Sequence, residues 1–532
     1  MVIANSMNVF ANNLAINNLN VVSVDPGAAT ITFTCDVTQD NSWRTTVNND
    51  AVWVFMKYST DAGVTWNHAS MAGYGNNPSG FSAPANFDLV VPSDEKGFFL
   101  QRNNFGQGAI TVKGIKFVWN YGQDGLSSEV AQAANTIHKV FGIEMVYIPQ
   151  GAFYAGDGNS SSEYRFKQGS ADNNPWYIQN ENALTTSNAA SGAYYYQGTG
   201  AASENNTGDA FLIPASYPKG FASFYLMKYE MTEGEWVGFF NTLSNAAKLH
   251  RDITAASLGG KNSDAVINRN TIAWDHTNPV SKATTQRPSR PVSYVSWPDV
   301  AAYAAWAGLR PVTELEFEKA ARGKDIMPIV DEFAWGSTSY TVAGSADIIS
   351  SSADEDGTES LSNTAANLNR NALGFSSGDG RSGGTAVNQT GPLRVGIFAA
   401  SALNRIGAGA GFYGNMELSG NLAEPTVSLG RTQGRQFLGS NGAGQLTTLA
   451  GYEGYAPNTD WPGIDTIDAN RGVTGTIGIG YRGGDFLTSN LRAFQTSSRT
   501  YAAKDPDSQG FYQRYDPGFG VFQGGRLGRS AP

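Results

Sequence analysis

The sequence predicts an α+β chain, with an antiparallel β-sandwich over residues 1–138 followed by a larger, loop-rich unit over residues 139–532. Three observations predict it. The first 120 residues break into short β-branched or aromatic runs, separated by turn residues at near-regular spacing. Beyond residue 230, three segments open with a Ser or Thr cap and continue with apolar residues at helical period. Glycine reaches 62 while charged residues make up only 15%, which suits packed irregular loops and does not suit a coiled coil or a disordered chain.

The runs at 15–24, 30–37, 52–58, 87–91, 98–101 and 114–120 are the expected strands of the first unit. Trp43, Trp53, Phe55, Tyr58, Phe117 and Trp119 are expected to fill its core or the seam to the next unit. Cys35 sits in an alternating apolar run, where a thiol serves as a small buried hydrophobe. Ser59 to Trp66, STDAGVTW, resembles the S-x-D-x-G-x-x-W "Asp-box" hairpin. Asp61 would accept turn amides, Gly63 would supply a positive φ and Trp66 would fold over the turn, a structural role without catalysis. Residues 127–138, SSEVAQAANTIH, read as a linker or a short helix.

The second unit opens near Phe141. Residues 156–217 form a Gly/Ser/Asn/Tyr-rich stretch holding Trp176 and Tyr194 to Tyr196, either a recognition surface or a solvated insertion. Thr232 with Glu235 makes a capping box ahead of Trp236, Phe240 and Leu243. Ser296 caps a helix with Val300, Tyr303, Ala304 and Ala307 on one face and Gly308 as its stop. Thr313 with Glu316 makes a second capping box for a helix ending at Arg322 and Gly323. Glu314, Glu316 and Glu318 fall in its first turns, where the helix dipole favours carboxylates, so a structural role is expected of them.

Two glycine-punctuated segments read as neither helix nor strand: residues 411–425, GFYGNMELSGNLAEP, and residues 480–486, GYRGGDF. In the first, Glu417 and Glu424 flank a Ser419-Gly420-Asn421 turn. Two carboxylates with the carbonyls of Gly420 and Leu422 turned inward would make a hard-oxygen cage of the kind calcium prefers. The alternative is that both glutamates accept loop amides and hold the turn together.

These segments resemble the GN-x-WE turn and the RGGSW segment of the formylglycine-generating enzyme (sulfatase-modifying factor) family. FGIEMVYIPQG (141–151) resembles the family's opening strand, and FYLMKYEMTEGEW (224–236) its E-V-T-x-x-x-W step. RPVSYVSW (290–297) and GLRPVTELEFEKAARG (308–323) resemble P-V-x-x-V-S-W and R-L-P-T-E-A-E-W-E-x-A-A-R-G. The aromatic tail 511–522 resembles the closing GFR strand. The resemblance implies a C-type-lectin-like α+β fold with little regular structure. It also implies that Asn367, Leu368 and Asp379 correspond to a second calcium loop of the family, although their spacing departs from its pattern.

The family's oxidase activity uses two cysteine thiolates that hold copper(I), just beyond RGGSW. Counting from Arg482, those positions are Thr488 and Ala493, and the family serine after RGG is Asp485. Neither residue can bind a soft metal, so no copper and no formylglycine chemistry are expected. The iron-dependent sulfoxide synthases of this fold need a histidine set. His68, His138, His250 and His276 are the four histidines, and none shows ligand spacing with another.

A net charge of −10 with no basic cluster argues against nucleic acid. No run of 18 apolar residues is present, so no membrane span is expected. One cysteine allows no intramolecular disulfide. Met1-Val-Ile-Ala-Asn lacks the basic region and apolar core of an intact signal peptide. The resemblance runs closest to large cysteine-poor members from Bacteroidetes-type bacteria, which look extracellular. The expected function is therefore a non-enzymatic extracellular or cell-surface protein that contacts copies of itself or other surface proteins in a filament, sheath or lattice. The alternative is a lectin-type glycan or receptor binder, such as an adhesin or a phage or injection-system tip, and the third reading is an enzyme with an unrecognised site.

Overall fold

The structure is a computed structural model. It describes residues 13–158, 164–199, 207–258, 260–264, 266–344, 347–349, 360–370, 391–400, 402, 404–502 and 523–532. The expected strands form close to where the sequence places them. In the strand Thr30–Arg44, Ile31, Phe33, Cys35 and Val37 are buried and alternate with partly exposed polar residues, the pattern of a strand with one face in a core. It lies between Ala15–Asp25 and Gly106–Asn120 in an antiparallel three-stranded sheet.

The strand Asp50–Ser59 is buried on both faces, because it is central to a second, eight-stranded sheet. Ile137–Ile148 pairs on one side of it and Phe98–Arg102 on the other. Beyond Ile137–Ile148 come Phe224–Met227 and Gly528–Ser530. The period of two sorts the central strand's side chains. Val52, Val54 and Met56 pack with Phe33, Phe117 and Trp119 of the three-stranded sheet. Ala51, Trp53 and Phe55 pack with residues of the helix Trp297–Ala307. Phe55 meets the Trp306 ring at 5.1 Å and the Trp53 indole N–H donates to the Ala307 carbonyl at 2.8 Å. The order of layers is sheet, sheet, helices.

A free-standing sandwich over residues 1–138 is therefore not what these strands form. Three of them make the small sheet. The others complete the large sheet together with strands that follow residue 138, a position that itself lies inside Ile137–Ile148. The linker reading of 127–138 holds for its first part, where Ser127 caps the one-turn helix Ser128–Ala131.

The three longer helices have the signalled caps. Thr232 and Glu235 satisfy each other's backbone N–H at the start of Glu233–Phe240, as do Thr313 and Glu316 at Glu314–Arg322. At Trp297–Ala307 the Asp299 carboxylate accepts the Ser296 N–H at 2.8 Å, and Gly308 closes the helix at φ 70°. Among the described residues of the 156–217 stretch, Phe166, Trp176, Tyr196 and Tyr217 are fully buried, and Trp176 packs on Phe166 at 4.4 Å. No helix among the described residues is long and apolar enough to cross a membrane.

Candidate functional site

The strand Glu424–Val427 pairs with Ile479–Arg482 and thereby sets the two glycine-rich motifs side by side. The Gly420 N–H donates to the Gly483 carbonyl at 2.8 Å, and the Phe486 N–H donates to the Asn421 carbonyl at 2.9 Å. Gly483 has φ 88°, and a Cβ there would stand 3.0 Å from the Leu418 carbonyl, so the RGG turn requires glycine at that point.

Glu417 and Glu424 are both buried at this junction. Glu417 Oε1 accepts the Gly396 N–H at 2.8 Å, and Glu424 Oε1 receives the Arg526 guanidinium at 2.6 Å. Their Oε2 atoms are buried with no hydrogen-bond partner among the described residues. The carbonyls of Gly420 and Leu422 likewise accept no hydrogen bond among those residues. Burial pushes both carboxyls up to about 7, against the opposing pull of Arg526.

Sequence reasoning missed Glu230. Its carboxylate accepts the Leu422 N–H at 2.8 Å and the Asn421 side-chain amide at 2.6 Å. Burial, then Glu424 and Glu417, raise its carboxyl well above the usual range. Three carboxylates thus act on one another beside the guanidinium of Arg526, and Arg394 also acts on Glu417. Glu230 lies in the YEMTEGEW segment, and no local signal ties it to a turn so far along the chain.

Among the described residues, no three of His, Cys, Asp and Glu gather as a metal cluster. Oxygen-ligand cations do not need one, since two carboxylates with backbone carbonyls are a hard-oxygen donor set. The orphaned oxygens of Glu417 and Glu424 fit such an ion. The second expected loop looks different. Asn367 Oδ1 accepts the Thr341 N–H at 2.9 Å and the Leu368 carbonyl accepts the Ala343 N–H at 3.0 Å, so both oxygens are engaged. Asp379 lies outside the described residues, as does the tail 511–522.

At the thiolate positions the chain is closed on itself. Asp485 accepts the Thr488 hydroxyl at 2.6 Å, the Thr488 N–H at 3.0 Å and the Leu487 N–H at 2.8 Å. Burial raises its carboxyl to about 6. Ala493 borders a cavity of about 10 Å³ with Tyr481, Ser498 and Tyr501, room for about one water. Cys35 is buried in the core of the small sheet, and burial pushes its thiol up to about 12, which leaves it unreactive. The histidines stand apart. His68 stacks on Phe55, His138 packs against Phe33 and Trp119, and His250 pairs with Glu453 at 3.4 Å.

The acidic helix is neutralised by buried arginines. Arg482, of the RGG motif, reaches Glu314 at 3.2 Å and Glu318 at 2.6 Å. Arg499 reaches Glu314 at 2.6 Å, Arg310 holds Glu316 at 2.6 Å, and Arg322 pairs with Glu318. The structural reading of the three glutamates holds, but ion pairing with the arginines does the work expected of the helix dipole.

Residues 132–380 match the family model described as "Sulfatase-modifying factor enzyme 1-like domain". The chain is similar to the formylglycine-generating enzyme of Thermomonospora curvata, 50% identical over 50 residues that cover 9% of this chain and 16% of the relative. That of Bos taurus is 30% identical over 115 residues, 19% of this chain and 31% of the relative. That of Streptomyces coelicolor is 47% identical over 57 residues, 11% of this chain and 18% of the relative. The matches thus span less than a third of the length of each of these relatives.

Proposed function

Because the chain belongs to the formylglycine-generating enzyme (sulfatase-modifying factor) family yet carries Thr488 and Ala493 at the thiolate positions, we propose a non-catalytic member that works by protein contacts, chiefly with copies of itself. The Asp485–Thr488 hydrogen bond supports the loss of chemistry, since it fills a reactive position with a self-satisfied turn. The extracellular or cell-surface setting rests on the resemblance to cysteine-poor members of the family.

One observation carries the contact reading. Directly after the acidic helix, Ile326, Met327, Ile329 and Val330 are 40%, 61%, 50% and 49% exposed, four large apolar residues in a run of five. A contiguous apolar patch of this kind on a folded surface marks an interaction site. The strand Ala15–Asp25 adds to it, as an edge of the small sheet that carries neither lysine nor proline to block pairing.

The same reading assigns calcium to Glu417, Glu424 and the carbonyls of Gly420 and Leu422. The ion would offset the excess carboxylate charge and fix the turn; it has no chemical step to perform.

Sedimentation velocity and negative-stain electron microscopy of the full chain test the proposal. Wild-type protein is expected to form ordered polymers, and Met327→Lys/Ile329→Lys to disperse them without lowering the melting temperature. Monodisperse wild-type monomers throughout the micromolar range would refute it.

A further inference from the structure

Beyond self-association, we propose that the cleft built by the excursion between the two motif strands is a binding site for a neutral saccharide. Val427 and Ile479 are paired in the sheet, so residues 428–478 leave and return at one place. Along this excursion lies a cleft of about 330 Å³. That volume is at the lower end of the ~300–1,000 Å³ typical of small-molecule sites.

The lining defines the ligand by exclusion and by fit. Among the described residues no Lys, Arg or His borders the cleft, so no cationic side chain favours an anion there. Two carboxylates do border it, but both are committed to the loop. Asp460 accepts the Leu438 N–H at 3.1 Å and the Ser440 hydroxyl at 2.5 Å. Asp465 accepts the Ile467 and Asp468 N–H groups at 2.9 and 3.0 Å and pairs with Arg471 at 3.6 Å. Neither is left to seat a cation.

The uncommitted polar groups are neutral. Gln433 and Gln436 stand three residues apart on the short helix Thr432–Arg435 and its C-cap, a spacing that puts both on one face. Their amides, and the hydroxyls of Thr459 and Thr466, make no hydrogen bond within the described residues. The same lining carries the apolar side chains of Ile464, Ile477 and Ile467, the last 83% exposed. A lining that combines neutral amides and hydroxyls with aliphatic side chains matches a sugar ring, which has a rim of hydroxyls and a C–H face. An extended peptide would look for a free strand edge, and no strand among the described residues lies in the lining of this cleft.

The test is an array of neutral, sialylated and sulfated glycans probed with the full chain in EDTA, followed by titration calorimetry with the best neutral sugar. Neutral glycans are expected to bind, with affinity unchanged by chelation. Gln433→Ala/Gln436→Ala is expected to weaken binding about tenfold, the worth of two ordinary hydrogen bonds, and Ile467→Asp to weaken it independently. Thermal unfolding and polymer formation should stay unchanged in both variants, which separates this site from the assembly reading. No neutral-sugar binding at millimolar ligand, equal affinity in both variants, or binding confined to acidic glycans or peptides would overturn the proposal.

Discussion

Arg482→Ala is the most direct probe of how the family motif is used in this chain. The Arg482 side chain has no exposed surface. It bridges Glu314 and Glu318, donates to the Thr496 carbonyl at 2.6 Å, and lies over the Phe317 ring at 5.4 Å. Removing it leaves Glu314 with Arg499 and Glu318 with Arg322. Two carboxylates facing three guanidinium groups become two facing two, and each glutamate is held from one side only. Removing one member of a buried ion-pair network costs about 3–5 kcal/mol; here each glutamate loses one of its two cations while staying desolvated, and the Thr496 carbonyl loses its Arg482 donor. With an unfolding entropy of roughly 2.1 cal/mol/K per residue, about 1.1 kcal/mol/K for this chain, the melting temperature should drop by about 3–4 °C. Arg482→Lys should recover only part of this, since one ammonium cannot fork between two carboxylates and a carbonyl. The assay is urea unfolding followed by tryptophan fluorescence, with calorimetry alongside. A loss below about 1 kcal/mol in Arg482→Ala would show that the pairs merely coexist, as exposed pairs do, and the reasoning would fail.

Two further predictions concern the buried carboxylates. Glu144, Glu235, Glu417 and Glu424 are each pushed up to about 7 by burial, so the folded state holds protons that the unfolded state has released. Their effect is to make stability greatest below about pH 4.5 and to lower it as pH rises to about 7. His138, held down to about 4, acts in the opposite sense as pH falls below 6.5. Glu144→Gln, beside Gln39 and Lys228, should raise the unfolding free energy measured in urea at pH 8 by on the order of 1–3 kcal/mol and leave it unchanged at pH 4. An equal effect at both pH values would contradict the assignment. Calcium at ~100 times its dissociation constant should stabilise the fold by about 2.7 kcal/mol, a melting shift of about 2–3 °C that EDTA abolishes and Glu417→Gln removes. Absence of any shift in the wild-type protein would exclude the ion from this turn.

The sequence was most legible where structure is local. The strand Phe87–Val91 falls on the expected residues, and all three longer helices begin at the expected caps. The strand expected at 114–120 in fact starts at Gly106, because Gly114, with φ 66°, is absorbed as an irregularity within a longer strand. Pairing over long separations was not legible. Nothing in the alternation of Asp50–Ser59 says that its neighbour is Ile137–Ile148, and so the unit boundary at 138 cut through a shared sheet. The site shows the same split. Glu417, Gly420, Leu422 and Glu424 were visible because they lie within eight residues of one turn. Glu230 and Arg526, which set the charge of that turn, come from distant segments and leave no spacing to read.

The register of the large sheet has a consequence for how the chain is made. Phe224 pairs with Ser530, so an inner strand waits for a partner roughly three hundred positions downstream, a contact of very high sequence separation that closes late. Arg529 carries the closure back to the first sheet strands, lying 4.1 Å from the Trp53 ring and pairing with Asp94. During synthesis, the central strand and its first partners can assemble while the flank that receives Gly528–Ser530 is still an open edge. That edge is the chain's period of greatest exposure to mispairing, and a truncation before residue 528 would make it permanent.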